Sequence, residues 1–538
     1  MKLNSKLLLG IIILIAAIAR LLFLSQFPNG FTGDEAQQGY SAYSILKTGK
    51  DEWGETLPLF PRGFGDYKPP LLTYLIVPFV GLFGLTIESV RLPAALVGIL
   101  TVLVVFFLTY ELLKDKKIAA WSSLLLAINP WHIQLSRTSW EGGAGILTFS
   151  LGLLFYLKSG TRNLILASIF WGLTLYSYHS WRVFTLLFIF GLILKNKKKF
   201  ISAKNWIAGV VLLVFMLPLI FNINSVLQRS SDVSIFSEGQ ISGYFSNKSV
   251  SPLPPIADRL LDNKIWFILS QFFGNYLSYF SPVFIFTDGR SDSTYLNFPY
   301  FPLHYPIEVV FFITSIFIFM TQKIPNKNLL ILWLVLAPIP ASLATGAMNA
   351  NRAPTFLPIL MIISALGMNF FVQKWKYAQT FILIILVISF LVFINFYFIK
   401  LPQKPADNLR YGYNLVFKHI LEIEKNYDRV VISKVFTEPQ IFIAFYSKMD
   451  PEVYQEASGD WLRYEKSDKL YVDQLQSWNL GKFYFEDLDW GKKDSLRKNA
   501  LIISKPEDFP SNIESLFDVR NPKGKIIYRL IYVNDEKI

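Results

Sequence analysis

The sequence contains no cysteine, which excludes disulfide bonds and thiolate metal sites. Charged residues are scarce as well: Asp, Glu, Lys and Arg make up 17% of the chain, against about a quarter in soluble domains. Hydrophobic residues make up 52%, and the mean hydropathy is +0.38. This composition indicates a membrane protein that crosses the bilayer several times, and it argues against a soluble fold.

The Gly-rich loops that bind nucleotide phosphates are also missing, since the chain has neither a Walker-type loop nor a dinucleotide fingerprint. A soluble nucleotide donor on the inner side is therefore unsupported. The net charge of +13 could suggest nucleic acid. The basic residues, however, lie in short clusters between apolar runs, which is typical of cytoplasmic loops of membrane proteins. We therefore expect a lipid bilayer, and no nucleic acid, as a partner.

About 11 apolar runs are long enough to cross a bilayer, which takes about 20 helical residues, or about 17 at the low end. They lie near residues 7–24, 88–113, 118–134, 142–158, 163–179, 181–195, 205–221, 306–321, 328–345, 354–372 and 377–398. Two further runs, 71–84 and 264–285, are ambiguous, and counting both gives about 13 spans. We interpret these two as helices in the outer membrane interface.

The basic clusters fall at every second loop, as an excess of cytoplasmic Lys and Arg requires. This pattern predicts a multi-pass protein of the cell membrane with a cytoplasmic N-terminus. It places two long loops outside, 25–87 and 222–305, together with the tail 401–538. The tail has a helical pattern, LVFKHILEIEK, and β-like runs RVVIS, KFYFE, NALIIS and KIIYRLIYV. We therefore predict an all-α membrane domain over residues 1–400, followed by a small extracytoplasmic α/β domain.

Ionisable residues that are unusual in a membrane protein lie at the outer ends of the predicted spans. They are Arg20, Asp34, Glu35, Asp66, Lys68, His132, Arg137, Glu141, His179, Arg182 and Arg352. Charged groups at membrane depth persist mostly where they face a cavity or a partner. The topology brings these loops to one side of the membrane, and a carboxylate facing several cations there predicts a chemical site.

Each of these residues also has a structural interpretation. Asp34 precedes a helical pattern and could be its N-cap, while Arg20 could extend to the interface. Arg182 and Arg352 could anchor helices there, and the two histidines, His132 and His179, could be hydrogen-bonded structural residues. The stretch DEWGE (51–55) is interpreted as a solvated turn.

A carboxylate at the water–lipid boundary can act as general base on an acceptor hydroxyl or amine. Cations beside it can hold a phosphate leaving group, Arg through a bidentate fork and Lys as a point charge. A phosphate that arrives on the outer side would have to be carried by a lipid. The pattern thus favours transfer of a group from a lipid-phosphate donor.

Three segments, DEAQQGYSAYSILKTG, GDYKPPLLTYL and ESVRLPAALVG, together resemble the integral membrane glycosyltransferases of the GT-C fold, which use lipid-phosphate sugars. The likeness is greatest to the branch of protein O-mannosyltransferases and of the transferase that attaches aminoarabinose to lipid A. It covers residues 7–200 well and continues through NPWHIQLSR, LYSYHSWRVF and PIPASLATGAMNANRAP to about residue 400. The tail after residue 401 matches no motif of the family.

The resemblance implies a role for each matching residue. Asp34 would be the general base, Glu35 would position the site, and Lys68 would meet the donor phosphate. Further contacts to the donor phosphate or sugar are expected from Asp66, His132, Arg137, His179, Arg182 and Arg352. The aminoarabinose branch has a glutamate directly before the Lys-Pro, implicated in metal binding, and here that position is Tyr67. A divalent metal is therefore doubtful, and the resemblance favours the metal-independent mode.

The predicted enzyme moves a monosaccharide from a polyprenyl-phosphate donor to an extracytoplasmic acceptor, which could be a protein, a lipid or a glycan. Direct attack would invert the anomeric configuration. Two other functions stay open: a polymerase or ligase of lipid-linked glycans, and a membrane transporter or flippase. A transporter would be expected to carry charges or broken helices near the midplane.

Overall fold

The computed structural model describes residues 5–64, 67–196, 205–246, 254–287, 301–403, 410–468, 472, 475–488, 499–511 and 513–533. The chain forms two compact units. The first unit contains residues 1–22 and 94–393, and the second contains residues 23–93 and 394–538. The predicted division at residue 400 into a membrane domain and an outer domain stays a prediction.

The first unit is built from helices. Those that begin within it are Ser5–Leu21, Lys116–Ile128, Pro130–Arg137, Gly142–Leu157, Thr161–Thr174, His179–Lys195, Trp206–Phe221, Ile223–Val233, Glu238–Ser246, Pro255–Leu261, Lys264–Ser278, Pro282–Phe286, Glu308–Thr321, Lys327–Leu336, Ile339–Ser342, Leu357–Lys374 and Ala378–Asn395. Together with Ile87–Leu113 of the neighbouring segment, these helices cover every predicted span. The helical nature of the apolar runs is therefore confirmed.

Two of the predicted spans are interrupted. Asn129 and Pro130 separate Lys116–Ile128 from Pro130–Arg137, because the Asn129 side chain accepts from the backbone N–H of His132 and starts a new helix. Near residue 338, Lys327–Leu336 gives way to the short helix Ile339–Ser342 at two prolines. The predicted spans near 118–134 and 328–345 each consist of two helical segments, and their crossing of the membrane stays a prediction.

By length and composition, three helical stretches among the described residues could cross a membrane: Ile87–Leu113, Pro354–Lys374 and Ala378–Gln403. A fourth crossing results if Pro130–Arg137 and Gly142–Leu157 form one broken span, in which the chain bends by 113° between the two helices. Several other apolar helices are only 10–17 residues long. The predicted number of about 11 crossings and their topology therefore stay predictions.

The surface of the helix Ala378–Asn395 suits a lipid environment. Only 28% of its apolar stretch is buried. Large side chains such as Phe381, Leu391 and Val392 are more than half exposed. A contiguous apolar surface of this kind is unusual on a soluble protein, and the backbone groups of a helix are already paired, as lipid requires.

The second unit contains a six-stranded mixed sheet. Its strands are β1 (Arg429–Ser433), β2 (Ser477–Leu480), β3 (Phe483–Glu486), β4 (Ala500–Ser504), β5 (Phe517–Arg520) and β6 (Ile526–Val533). The order is β2-β3-β1-β4-β6-β5, with β1 parallel to β3 and β4 and the outer pairs antiparallel. The small α/β fold of the tail is confirmed, although β2 and β5 were not predicted.

Among the described residues, five α-helices lie wholly within the second unit: Gly33–Thr48, Pro70–Phe83, Tyr413–Ile423, Pro439–Ser447 and Pro451–Asp468. We call Gly33–Thr48 the acidic helix. It packs against Pro439–Ser447, and Phe31, just before the acidic helix, contacts Phe445 with tilted rings whose centroids are 4.8 Å apart. The Tyr40 hydroxyl donates to the carbonyl of Met449 at 3.1 Å. The first loop and the tail thus share one hydrophobic core.

The stretch 51–55 corrects one prediction, because it begins buried and not as a solvated turn. Asp51 and Glu52 are both 0% exposed. Gln37 and Ser41 donate to the Glu52 carboxylate at 3.1 and 2.6 Å. The main-chain carbonyl of Glu52 accepts from the hydroxyl of Ser458, in the helix Pro451–Asp468. The tail covers this stretch and removes it from water.

Burial raises the pKa values of Asp51 and Glu52, so both carboxyl groups are weaker acids than usual. It raises the pKa of Glu52 to about 8, with the charge of Asp51 adding to the shift. Burial likewise raises the pKa of Asp51 to about 6. Because the folded state holds these protons more tightly than the unfolded chain, their contribution to stability is complete below about pH 4.5 and is lost as the pH rises toward 8.

We expect Glu52→Gln to remove most of this pH dependence, since glutamine copies the protonated carboxyl. The melting temperature of the variant should match that of the wild type at pH 5 and exceed it by about 3 °C or more at pH 8.5. Thermal unfolding of the detergent-solubilised protein measures the difference. Glu55→Gln, a change at an exposed neighbour, is the control, and equal pH responses of all three proteins would contradict the prediction.

Candidate active site

The acidic helix begins with a capping box. The Thr32 hydroxyl accepts from the backbone N–H of Glu35 at 3.2 Å, and the Glu35 carboxylate accepts from the backbone N–H of Thr32 at 3.1 Å. Thr32 is therefore the N-cap, and Asp34 is the second residue of the helix, within its first turn. The interpretation of Asp34 as the N-cap is wrong, so its carboxylate is available for another role.

That carboxylate forms an ion pair with Lys68. The Lys68 ammonium donates to Oδ1 of Asp34 at 2.9 Å, with side-chain exposures of 14% and 32%. The lysine is held by its backbone, since its N–H donates to the carbonyl of Pro61 at 2.7 Å and Pro70 starts the next helix. The structure therefore brings together the predicted base and the predicted phosphate-binding lysine, at a place that solvent reaches.

Glu35 is fixed by a residue that the sequence-based site did not include. Arg91 donates from Nε to Oε1 of Glu35 at 2.7 Å and from Nη2 to Oε2 at 3.2 Å. Both side chains are buried. The same guanidinium donates to the carbonyls of Leu24, Pro28 and Gly30. Arg91 thus ties the entry segment of the acidic helix to the helix Ile87–Leu113.

A signal for Arg91 was present in the sequence. It is the arginine of ESVRLPAALVG, a charge within an apolar run. A buried charge in such a run needs a partner of opposite sign. An acidic pair only one loop earlier supplied that partner, but the motif alone did not show which of the two carboxylates pairs with Arg91.

In the first unit, two arginines donate hydrogen bonds to main-chain carbonyls at the ends of helices. Arg137 is fully buried and donates to Ala19 and Leu22 at 3.0 and 2.8 Å. Arg20 is buried as well, which corrects its interpretation as an interface residue, and it donates to Leu126 and Ala127. These contacts satisfy carbonyls at helix C-termini. They give both residues a structural role.

The predicted histidines each lie beside an arginine. Nδ1 of His132 is 2.7 Å from the Arg20 guanidinium, and both groups are buried. Nδ1 of His179 is 3.1 Å from Nη1 of Arg182, whose Nε donates to the carbonyl of Leu175. A neutral imidazole nitrogen can accept a hydrogen bond from either guanidinium.

The first unit also contains a cavity of about 270 Å³. Arg352 and His179 supply its charged and titratable groups, and Tyr178, Ser180 and Ser234 supply hydroxyls. The remaining lining is apolar and consists of Val183, Val233, Phe236, Pro340, Leu343 and Ala344. Arg352 also donates to the carbonyl of Thr345. One cation beside an apolar recess suits an anionic head group that carries a hydrocarbon chain.

Asp66 lies outside the described residues. Among the residues that are described, no group of three or more His, Cys, Asp and Glu side chains comes together as metal ligands. The donors at the ion pair itself are one carboxylate and one ammonium, and an ammonium competes with a cation for that carboxylate. Nothing in this donor set favours a divalent metal over Lys68.

Part of the sequence matches a known family model, and the fold matches a solved structure. Residues 67–221, which contain Lys68 and Arg91, match the family model described as dolichyl-phosphate-mannose-protein mannosyltransferase. The crystal structure of ArnT from Cupriavidus metallidurans in the apo state is 11% identical to this chain, covering 98% of this chain and 97% of that one with a TM-score of 0.54. The chain has the fold of this ArnT structure. The resemblance found in the sequence is thereby confirmed.

The same bacterial protein bound to undecaprenyl phosphate gives 12% identity over 98% of this chain and 97% of that one, with a TM-score of 0.53. The archaeal oligosaccharyltransferase AglB from Archaeoglobus fulgidus, in complex with an inhibitory peptide and a dolichol-phosphate, is 17% identical. It covers 82% of this chain and 63% of that one, and its TM-score of 0.48 is too low to establish a shared fold. A comparison with curated protein sequences gives no match. At these identities, the likeness of this chain to ArnT establishes the fold alone.

The buried ion pair of Arg91 and Glu35 gives a prediction for this protein. Arg91→Met should lower its stability by about 3–5 kcal/mol, because Glu35 would stay buried without its cation. The melting temperature should fall by about 10 °C. The double variant Arg91→Met/Glu35→Gln should recover part of the loss, since glutamine keeps the capping box and buries no charge. Losses that simply add in the double variant would contradict the coupling of the two side chains.

Proposed function

We propose that the protein is an integral membrane glycosyltransferase that moves a monosaccharide from a polyprenyl-phosphate donor to an extracytoplasmic acceptor. The observation that carries this proposal is the ion pair between Asp34 and Lys68 at the start of the acidic helix. The GT-C fold, the mannosyltransferase family model and the undecaprenyl phosphate bound by ArnT support a lipid-linked donor. The proposed location is the cell membrane, with the N-terminus inside and the tail outside.

In the proposed reaction, Asp34 takes the proton from the acceptor hydroxyl or amine. The acceptor atom then attacks the anomeric carbon of the donor sugar. The bond from that carbon to the phosphate oxygen breaks, and its electron pair leaves with the polyprenyl phosphate. Lys68 would move from Asp34 toward the phosphate and balance the charge that develops there. One displacement of this kind inverts the anomeric configuration.

The other candidate residues differ in their surroundings: some line the cavity of the first unit, and others contact helix ends or a neighbouring charge. Arg352 and His179, on the cavity of the first unit, are proposed to hold the donor phosphate, and the apolar lining would receive the first isoprene units. Arg182 would act beside His179. Glu35, fixed by Arg91, would orient Asp34. Arg137 and His132 contact helix ends and Arg20, so that a direct contact with the donor would require their present partners to be exchanged. Asp66 stays a proposed donor contact.

The first test is transfer of a radiolabelled sugar from polyprenyl phosphate by the purified protein, with wild type and Asp34→Asn compared. Transfer should fall about hundredfold or more, the usual scale for loss of a general base. Binding of undecaprenyl phosphate should persist, because the variant keeps the shape of the side chain. Glu422→Gln, at a carboxylate that is 73% exposed, is the matched control.

Unchanged transfer by Asp34→Asn would remove Asp34 from the reaction. Retained anomeric configuration of the product, observed by NMR, would overturn the single displacement. Polymerised glycan as the product would favour the polymerase alternative. Movement of lipid-linked sugar across vesicles without any transfer would favour the flippase.

The cavity has its own prediction. Arg352→Gln should weaken binding of undecaprenyl phosphate about tenfold, the value of roughly one charge-assisted contact to phosphate. Fluorescence titration in detergent micelles measures the dissociation constant. Lys376→Gln, at an exposed basic residue, should leave it unchanged. Equal affinities of the wild type and Arg352→Gln would contradict the assignment of the phosphate to this cavity.

A further inference from the structure

The segment before the helix Pro439–Ser447 contains a glutamate that helix formation does not explain. Glu438 occupies the N-cap position, where Ser, Thr, Asp and Asn are preferred, and its side chain makes no capping hydrogen bond. Its backbone is left-handed, with φ 54° and ψ 45°, which is unfavourable for a residue with a Cβ. The position therefore has a cost for the helix that it precedes.

The carboxylate of Glu438 lies at the start of the acidic helix. Its Oε2 atom occupies the space that a Cβ on Gly33 would need. Gly33 is the first helical residue, directly before Asp34, and its backbone is helical. The glycine thus leaves room for the Glu438 carboxylate, which would have to move if position 33 carried a Cβ. An anionic group is also favoured at this end of a helix by the free N–H groups.

Two other buried polar side chains of the tail, Gln440 and Tyr454, lie near Glu438 in the sequence or interact with its charge. The side chain of Gln440 is 0% exposed, and neither its amide nitrogen nor its oxygen has a hydrogen-bond partner among the described residues. Burial raises the pKa of Tyr454 well above its usual value, and the charge of Glu438 adds to that of Glu52. Buried polar side chains of the tail thus lie near Glu438 in the sequence, as Gln440 does, or in space, as Tyr454 does.

We propose that Glu438 is a positioning residue that the tail contributes to the glycosyltransferase site, and that it sets the orientation of Asp34 through its contact with Gly33. The inference rests on the proposed function. It assigns the tail a part in catalysis, since a residue of the tail and the first turn of the acidic helix form one structure. A shift of about 1 Å in a general base can lower the rate by up to about a hundredfold.

The contact can be broken from either side. Glu438→Ala removes the carboxylate, and Gly33→Ala inserts a methyl group that displaces it. Each single variant should lower kcat about tenfold while the dissociation constant for undecaprenyl phosphate stays unchanged. The double variant should also lose only about tenfold, because both changes remove the same contact. In the background of Glu438→Ala, alanine at position 33 should be tolerated, since it favours the helix.

Two further variants protect the test against loss of folding. Glu438→Gln keeps the size of the side chain and should lose less activity than Glu438→Ala. Glu452→Gln, at an exposed glutamate of the same domain, should behave as wild type. All variants are compared only where their melting temperatures lie close to that of the wild type.

The outcomes separate the two proposals. If the wild type transfers sugar and Asp34→Asn does not, but Glu438→Ala retains wild-type kcat, the inference on Glu438 is overturned and the proposed function stands. A hundredfold loss in the double variant would show that the two residues act independently, which also overturns it. If the wild type transfers nothing, the proposed function itself fails.

Discussion

The structure of the candidate site depends on one buried ion pair, between Arg91 and Glu35. Two hydrogen bonds join the side chains, and the same guanidinium holds three main-chain carbonyls of residues 24–30. Glu35 also closes the capping box with Thr32, and this box fixes the residue at which the acidic helix begins. Asp34 precedes Glu35 directly, and its direction follows from that constraint. Solvent reaches Asp34 while Glu35 is shielded, which separates an accessible carboxylate from a structural one.

Burial of a charge does not by itself mark a functional residue in this chain. Arg20 and Arg137 are as buried as Arg91, yet their donors face carbonyls at the ends of helices. Such carbonyls have no water to bind within a bilayer, and a guanidinium with five donors satisfies several at once. Lys68 and Arg352 differ, because one faces a partly exposed carboxylate and the other lines a cavity. The surroundings of the cation, and not its depth, distinguish the two groups.

Much of the fold could be predicted because its signals are local. Apolar runs form helices, and the β-branched and aromatic runs of the tail form β1, β3, β4 and β6. The strands β2 and β5, SWNL and FDVR, were not predicted because each has only two apolar residues, whereas the equally short β3, FYFE, has three aromatic residues. Asp34 and Lys68 were both singled out by the ordered motifs in which they stand, although the ion pair between them was not predicted. Burial of Glu52 could not be predicted, because it depends on Ser458, which lies 406 residues further along the chain.

Contacts between the tail and the acidic helix bear on the role of the tail. Gln455 donates to Ser44, Thr48 and the carbonyl of Asp51, so a single amide fixes the end of the acidic helix while Glu438 lies against its beginning. A domain that only selected an acceptor would have no need to hold both ends of the helix that carries the candidate base. A domain that only braced the loop would have no need of a left-handed glutamate beside Asp34. The two contacts together favour a tail that is part of the catalytic unit, in which acceptor handling and the geometry of the base cannot change independently.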